Sequence, residues 1–319
     1  MPGDFCSITA ESLPQVAAKV EDQSENATST ERIAEEEERG ESLTRLILRS
    51  LRRDKIALFG LVVIIFVALV AIFASNIAPY NPIKQQLSGY LKPPSTTHLL
   101  GQDELGRDIL SRIIYGSRVS MEVGASVVAA SILVGVLLGT IAGYYGGKID
   151  LIVMRFVDIF LSFPGIILAV GAVAIVGPGL KNVIIALIII NWPGYTRVMR
   201  GEVLRVKQNP YVLASKGMGA SNFWVMRKHI IPAAISPVIV LATIGFGWAV
   251  LAEAGLSFLG LGVQPPTPSW GGIVAEGLSY ILEDPYLALF GGLAIAITVL
   301  CFNMLGDGLR DALDPSLRI

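Results

Sequence analysis

Two carboxylic acids stand where the chain is otherwise apolar: Asp158 in "MRFVDIFLSFPG" and Glu253 in "VLAEAGLSFLGLG". A charged side chain turned toward lipid is costly, so each must face protein or a water-filled cavity. Two roles are open to them. They can line or gate a path for a polar solute, or each can anchor a buried hydrogen bond. Pro164 and Trp192, both set in apolar runs, join them as candidate pathway or gating residues. A proton relay would need several acids at mid-depth, and the sequence does not show them. Other chemistry is missing. His98 and His229 lie far apart, with no ligand partner at metal spacing, so no metal is expected. Cys6 and Cys301 offer no disulfide framework, and Cys301 reads as a small buried hydrophobe. The nearest string to a phosphate loop is "AGYYGGKID", with Ala142 where the first glycine belongs and Ile149 where the magnesium-binding hydroxyl belongs. No nucleophile–base pair occurs either. A membrane subunit without catalysis or cofactor of its own is expected, with any energy supplied by another chain.

The most specific polar stretch is "QNPYVLASKGMGASNFWVMRKHIIPAAISP", from Gln208 to Pro237. Asn209 suits a helix N-cap and Pro210 the first helical position. A short helix through "YVLASKGM" follows, and Gly219 sits where a helix ends in a left-handed turn. Ser221 can cap a second helix, "NFWVMRKHI", which Pro232 terminates or kinks. The small residues Ala214, Ser215, Gly217, Gly219 and Ala220 let another surface approach closely. Lys216, Arg227 and Lys228 can pair with acids or lipid phosphates. The pattern suits a knob seated in a partner's cleft, with Tyr211 and Leu213 on the same short helix; capped amphipathic loops without a docking role share it.

The elements that carry these residues follow from composition. Of 319 residues, 53% are hydrophobic and 16% charged, whereas soluble domains carry roughly a quarter charged residues. Six apolar runs stand out, at about 56–78, 121–146, 151–176, 180–198, 233–257 and 286–306. Each can cross a hydrocarbon core of ~30 Å as a helix. The expected fold is all-α and polytopic, with six transmembrane helices. Gly135, Gly139 and Gly143 recur every four residues and so share one helix face. Such a face packs closely on a neighbouring helix or on another subunit. Pro164, Pro193 and Pro237 can kink their spans.

Lysine and arginine set the orientation. They precede the first run (Arg45, Arg49, Arg52, Arg53, Lys55), follow the second (Lys148, Arg155) and crowd the segment between the fourth and fifth, so both termini are expected in the cytoplasm. Residues 79–120 depart from the pattern, with Lys84, Lys92, Arg107, Arg112 and Arg118 on the expected outer side. Either this segment lies along the interface as a helix or the first span is misplaced. The chain divides into an acidic tail at 1–42, holding the run Glu35 to Glu38, a first span with an outer segment at 43–118, and a five-helix core at 119–319 with a coupling loop at 199–232. The tail has too few apolar groups to order itself and reads as a disordered or loosely helical cytoplasmic extension. No secretory signal peptide is read at the start of the chain.

The 208–237 stretch resembles the cytoplasmic coupling motif of ABC importer permeases, Glu-Ala-Ala, three residues, Gly, then a distal Ile-x-Leu-Pro. Leu213, Ala214 and Ser215 hold the first three places, Gly219 the glycine, and Ile231 with Pro232 the end. Glu is absent and the second Ala is Ser. "LGQDELGRDILSRIIYGSRVSMEVG" (100–124), "EAGLSFLGLGVQPPTPSWG" (253–271) and "NMLGDGLRDALDP" (303–315) are similar to the C-type subunit of dipeptide, oligopeptide and nickel permeases. The resemblance covers nearly all the chain from about Leu43 and leaves out the acidic tail. It implies an ABC importer type I permease in the cytoplasmic (inner) membrane, paired with a B-type permease. It further implies two ATPase subunits, which would hold ATP and magnesium, and an extracytoplasmic solute-binding protein. Membrane lipid is a partner and nucleic acid is not. Peptide is the expected cargo, with nickel or glutathione-type substrates as alternatives. A secondary transporter would need inverted repeats and ion ligands at mid-membrane, which are not seen. A passive channel would leave the coupling segment without a purpose.

Overall fold

The computed structural model describes residues 54–313. The acidic tail, and the basic residues expected before the first span other than Lys55, lie outside this range. The described residues are helical, with no strand and a single antiparallel bridge between Gln102 and Asp108.

Helix α1 (Lys55–Ile72) is apolar throughout and opens on Asp54, whose carboxylate accepts hydrogen bonds from the amides of Ile56 at 2.8 Å and Ala57 at 3.2 Å. Such an N-cap contributes about 1 kcal/mol. A short α2 (Ala74–Ile77) follows, then loops. Helix α3 (Ile109–Tyr145) has 37 residues and is capped by Asp108, which accepts from Ser111 N at 2.8 Å. It starts well before the expected 121 and runs uninterrupted across residue 118.

Next come α4 (Gly147–Leu161) and α5 (Gly165–Val176). They meet at an 85° bend, with Pro164 in the break. The expected third span is therefore broken rather than gently kinked, since Pro164 has no N–H to continue the ladder. Helix α6 (Leu180–Val206) contains Pro193 and carries on past the expected 198. The coupling region supplies α7 (Pro210–Gly217), α8 (Asn222–Val225), a π turn (Met226–Ile230) and α9 (Ile231–Ala234). Then α10 (Ser236–Phe258), α11 (Trp270–Ser279) and α12 (Pro285–Leu313) complete the fold. Pro237 lies in the first turn of α10, where a missing N–H costs nothing, so it starts that span instead of kinking it. Among the described residues five helices are long and apolar enough to cross a membrane, or six if the bent α4–α5 pair is one span.

Helix α3 is the axis. It packs most extensively on α6, and α10, α1 and α4 also lie against it. The glycine stripe makes the α3–α6 seam: a Cβ added at Gly135, Gly139 or Gly143 would come within 2.4 Å of Tyr195 Cβ, 2.7 Å of Thr196 O or 2.8 Å of Val203 Cβ. Of the two readings of that stripe, the neighbouring helix of the same chain is the one found. The rising numbers on both sides show that α3 and α6 run parallel. Helix α12 lies antiparallel to α1, with Gly308 against Ala57 and Gly60 against Cys301.

The bundle thus has two ends. One gathers α7–α9, the C-terminal ends of α3, α6 and α12, and the start of α10. The other holds the 79–108 segment and α11, whose Trp270 covers Gly116 and donates from Nε1 to Ile113 O at 2.9 Å.

The 79–108 segment is neither an interfacial helix nor a sign of a misplaced first span. It is a folded loop layer, in which Arg107, like Arg112 at the start of α3, is paired with acids. Arg107 Nε lies 2.6 Å from Asp103 and its Nη2 2.8 Å from Glu104, while Arg112 reaches Glu276 at 2.7 Å and also pairs with Asp103. Arg118 donates to the free carbonyls of α1, Ala71 O at 2.7 Å and Ile72 O at 3.2 Å. Those carbonyls have no partner within their own helix.

Candidate functional site

The 208–237 stretch folds as a helix–turn–helix seated on the ends of α3 and α6. Pro210 takes the first turn of α7, and Asn209 occupies the cap position with extended backbone but without a side-chain cap bond. Helix α7 ends in a Schellman motif: Ala220 N donates to Ser215 O at 3.1 Å and Gly219 N to Lys216 O at 3.0 Å. The motif demands a left-handed residue, and Gly219 has φ of +86°. Ser221 Oγ accepts from Trp224 N at 3.3 Å and so caps α8. That helix keeps α geometry only to Val225 before passing into the π turn, which is shorter than the second helix expected from sequence.

The inner face of this unit is held firmly. Val212, Val225 and Ile230 are fully buried, in one cluster with Tyr144, Tyr195, Met199 and Val203. Polar contacts add to it. Tyr144 Oη donates to Asn222 Oδ1 at 2.7 Å and Lys216 Nζ lies 4.8 Å from the centre of the Tyr144 ring, while Lys207, at the end of α6, donates from Nζ to Gly143 O of α3 at 2.7 Å. These contacts tie α7 and α8 to the C-terminal ends of both long parallel helices.

The outer face is different. Leu213, Met218 and Phe223 are 56%, 82% and 69% exposed, with Tyr211 and Trp224 beside them. Ala214, Lys216, Gly217, Gly219 and Pro232 are exposed, Ala220 is half-buried, and Ser215 faces inward and is buried. Gly217 and Gly219 have no atom within 4 Å of an added Cβ, so the surface over them is open. Large apolar side chains exposed so close together in sequence form an apolar crest, the composition an interaction surface presents. Met218 and Phe223 were not among the residues singled out from sequence. Their signal was present, as large apolar side chains in a polar segment, but only the fold shows that they point outward.

The four candidate pathway residues do not converge. Asp158 on α4 pairs with Arg197 on α6 at 2.6 Å, both side chains being about half exposed. Trp192 packs edge-on against Phe160 at 5.6 Å between ring centres, and Pro164 follows at the exposed break. These three lie along the α4–α6 side. An ion pair so open amid apolar helix faces calls for cover by water or by another polypeptide. Glu253 is elsewhere. It is fully buried, accepts from Ser257 Oγ at 2.6 Å, and through it is linked to the loop, since Val263 N donates to Ser257 Oγ at 3.2 Å. In this conformation Glu253 lines no open path and acts as an anchor between α10 and the loop that follows it.

At the α11 end, Asp103, Glu104 and Glu276 place their oxygens close enough to hold a metal ion. Arg107 and Arg112 already fill that space with two guanidinium groups. Burial, then the carboxylates of Asp103 and Glu276, push the Glu104 carboxyl above its ordinary range. These five side chains make a structural clamp joining the 79–108 segment, α3 and α11.

Residues 135–319 match the family model described as "Binding-protein-dependent transport system inner membrane component", and residues 42–94 match the "N-terminal TM domain of oligopeptide transport permease C". The chain is 43% identical over 274 residues to the dipeptide transport system permease protein DppC of Alkalihalophilus pseudofirmus, covering 86% of this chain and 90% of that one. It is 42% identical over 271 residues to the glutathione transport system permease protein GsiD of Pectobacterium atrosepticum, covering 85% and 90%. Among solved structures, a chain of the MetNI methionine ABC transporter superposes with a TM-score of 0.54 at 22% identity, over 65% of this chain and 98% of that one. That likeness shows the fold, the type I ABC permease arrangement of helices. The chain, a multi-pass membrane protein, belongs to the family of binding-protein-dependent transport system inner membrane components.

Proposed function

We propose that this chain is the C-type permease subunit of an ATP-driven importer of short peptides in the cytoplasmic membrane. The α7–α9 unit lies in the cytoplasm and seats α7 in a cleft of an ATPase subunit. Two such ATPases hold ATP and magnesium, and this chain has no chemistry of its own. A B-type permease completes the path by covering the α4–α6 side, where Asp158, Arg197, Trp192 and the break at Pro164 stand exposed. A solute-binding protein delivers cargo at the α11 end. When ATP binding closes the ATPases, α7 moves, and its locked contacts with Tyr144 and the α6 core tilt α3 and α6. The seat must bind one state of the ATPases more tightly than the other, since equal binding would shift nothing.

The observation that carries this reading is the pairing of an exposed apolar crest with a buried foot fixed to two spans. The dipeptide permease relatives support a peptide cargo. The glutathione permease relative favours a second cargo within the same class, since glutathione is itself a small peptide.

The test is charge placed on the crest. Leu213→Asp and Met218→Asp alter exposed side chains, so the bundle should fold and reach the membrane. The ATPases should no longer co-purify, and peptide uptake in reconstituted vesicles should fall about tenfold or more, as for a central interface anchor. Retained ATPases with unchanged uptake would remove the docking role.

A further inference from the structure

We propose that Ser215 and His229 form a cross-link inside the coupling unit that fixes the angle between α7 and α8, making both positioning residues for ATPase docking. The proposal rests on the docking role argued above. Ser215 is buried on the inner face of α7, and its hydroxyl donates to Tyr211 O one turn earlier, at 2.8 Å. A hydroxyl has one proton, so its oxygen is left to accept. His229 Nε2 lies 3.1 Å from that oxygen. Nε2 must then carry the proton, and the cross-link runs from His229 in the π turn to Ser215 on α7. Trp224 on α8 and Tyr211 on α7 hold the ring edge-on, with centroids at 4.9 Å and 5.8 Å. The imidazole thus sits in a notch made by both helices.

Local structure alone cannot set this angle. Helix α7 has eight residues and α8 four, too few to be stable by themselves. The turn between them contains Gly219, with open space where a Cβ would stand. A π turn is rare and concentrates at functional positions, and His229 falls within it. The cross-link depends on the departure already noted in the coupling motif, in which Ser215 stands in place of Ala. Alanine has no oxygen to offer. Since Leu213 replaces the motif's Glu, the unit lacks that outward acid and gains an internal polar contact.

The experiment uses the full complex with its ATPases, reconstituted in vesicles, and reads peptide imported per ATP hydrolysed together with ATPase retention. Ser215→Ala removes the acceptor. His229→Phe keeps a ring for Trp224 and Tyr211 and removes the donor, while His229→Gln keeps a donor. Each of the first two should lower import per ATP by about threefold to tenfold, the range of a single hydrogen bond. Combined, they should do no more than the worse single change, because they break one contact, and His229→Gln should recover most of the loss. Should Ser215→Ala fail to reach the membrane, the contrast between His229→Phe and His229→Gln decides by itself. Losses that multiply in the double variant, or single variants that couple normally with ATPases bound, would overturn the cross-link alone. A wild-type complex that cannot retain its ATPases would overturn the docking reading and this proposal with it.

Discussion

Five ionisable side chains meet under the 79–108 segment, and their charges do not cancel. Asp103, Glu104 and Glu276 face Arg107 and Arg112, leaving one excess negative charge when all are ionised. Glu104 is the natural place for that excess to be relieved. Among the described residues it has a single ion-pair partner, Arg107, and its Oε2 is buried without a hydrogen bond. Burial and the neighbouring carboxylates raise its proton affinity in the folded protein. A carboxyl whose folded pKa lies above its unfolded value binds more protons in the native state. Its contribution is then fully present below the unfolded pKa and is lost as pH rises through the folded one. Glu104→Gln keeps an acceptor for Arg107 and removes the titration, leaving two acids against two arginines. At pH 7 to 8 the variant should melt a few degrees above wild type in detergent, and the gap should close as pH falls toward the ordinary glutamate pKa of 4.5. A gap that stays constant with pH would show that Glu104 is not the strained member of the clamp.

At the scale of elements, the long apolar runs were legible because lipid demands unbroken hydrophobicity, and the coupling helices because their capping signals are local. Asn209-Pro210, Gly219 and Ser221 announce two helices within a dozen residues, and the backbone turns where they predict. What could not be read depends on distant partners. Helix α3 begins twelve residues before its apolar run because Arg112 is paired with acids and Arg118 is hydrogen-bonded to the carbonyls of α1. One of the clamp's pairs, Arg107 with Glu276, joins residues 169 apart in sequence. The four-residue glycine spacing on α3 predicted a close seam but not its occupant, since spacing describes only one of two surfaces. Asp158 and Glu253 looked alike in sequence and sit in opposite surroundings for the same reason. The seam is testable by contrast with a glycine that nothing touches. A methyl group at Gly139 would meet Thr196 O at 2.7 Å and Met199 Cβ at 2.8 Å, both on a packed helix, whereas Gly171 on α5 has open space around it. Gly139→Ala should therefore cost about 1–3 kcal/mol by overpacking. Gly171→Ala should be neutral or gain up to about 1 kcal/mol from helix propensity. Thermal melts of the two variants side by side give the comparison, and equal melting temperatures would mean that the α3–α6 seam yields.

At the scale of the whole molecule, basic residues decide which end faces the cytoplasm, and most of those described gather at the α7 end. Lys148, Arg155, Arg197, Arg200, Arg205, Lys207, Lys216, Arg227 and Lys228 all lie in α4, on the C-terminal half of α6 or in the coupling unit. Of the five basic residues at 79–120, Arg107 and Arg112 are in the buried clamp and Arg118 is bound to the carbonyls of α1, so only Lys84 and Lys92 remain as exposed positive charges. A positive charge already balanced in the fold still enters the rule during insertion, so the comparison is between these five and the nine basic residues at the α7 end. The imbalance then favours the α7 end inside. Two exposed residues report on it directly: Met218, 82% exposed at the α7 end, and Leu87, 76% exposed in the 79–108 segment. With Cys6 and Cys301 replaced by serine and alanine, a cysteine at position 87 should react with a membrane-impermeant maleimide added to intact cells. A cysteine at 218 should react only after the membrane is opened, and less once the ATPases are bound. Labelling of 218 from outside would invert the molecule and detach the crest from any cytoplasmic ATPase. Labelling of both from outside would contradict the parallel course of α3 and α6, which requires the α4–α5 pair to return across the bundle and sets the two positions an odd number of crossings apart.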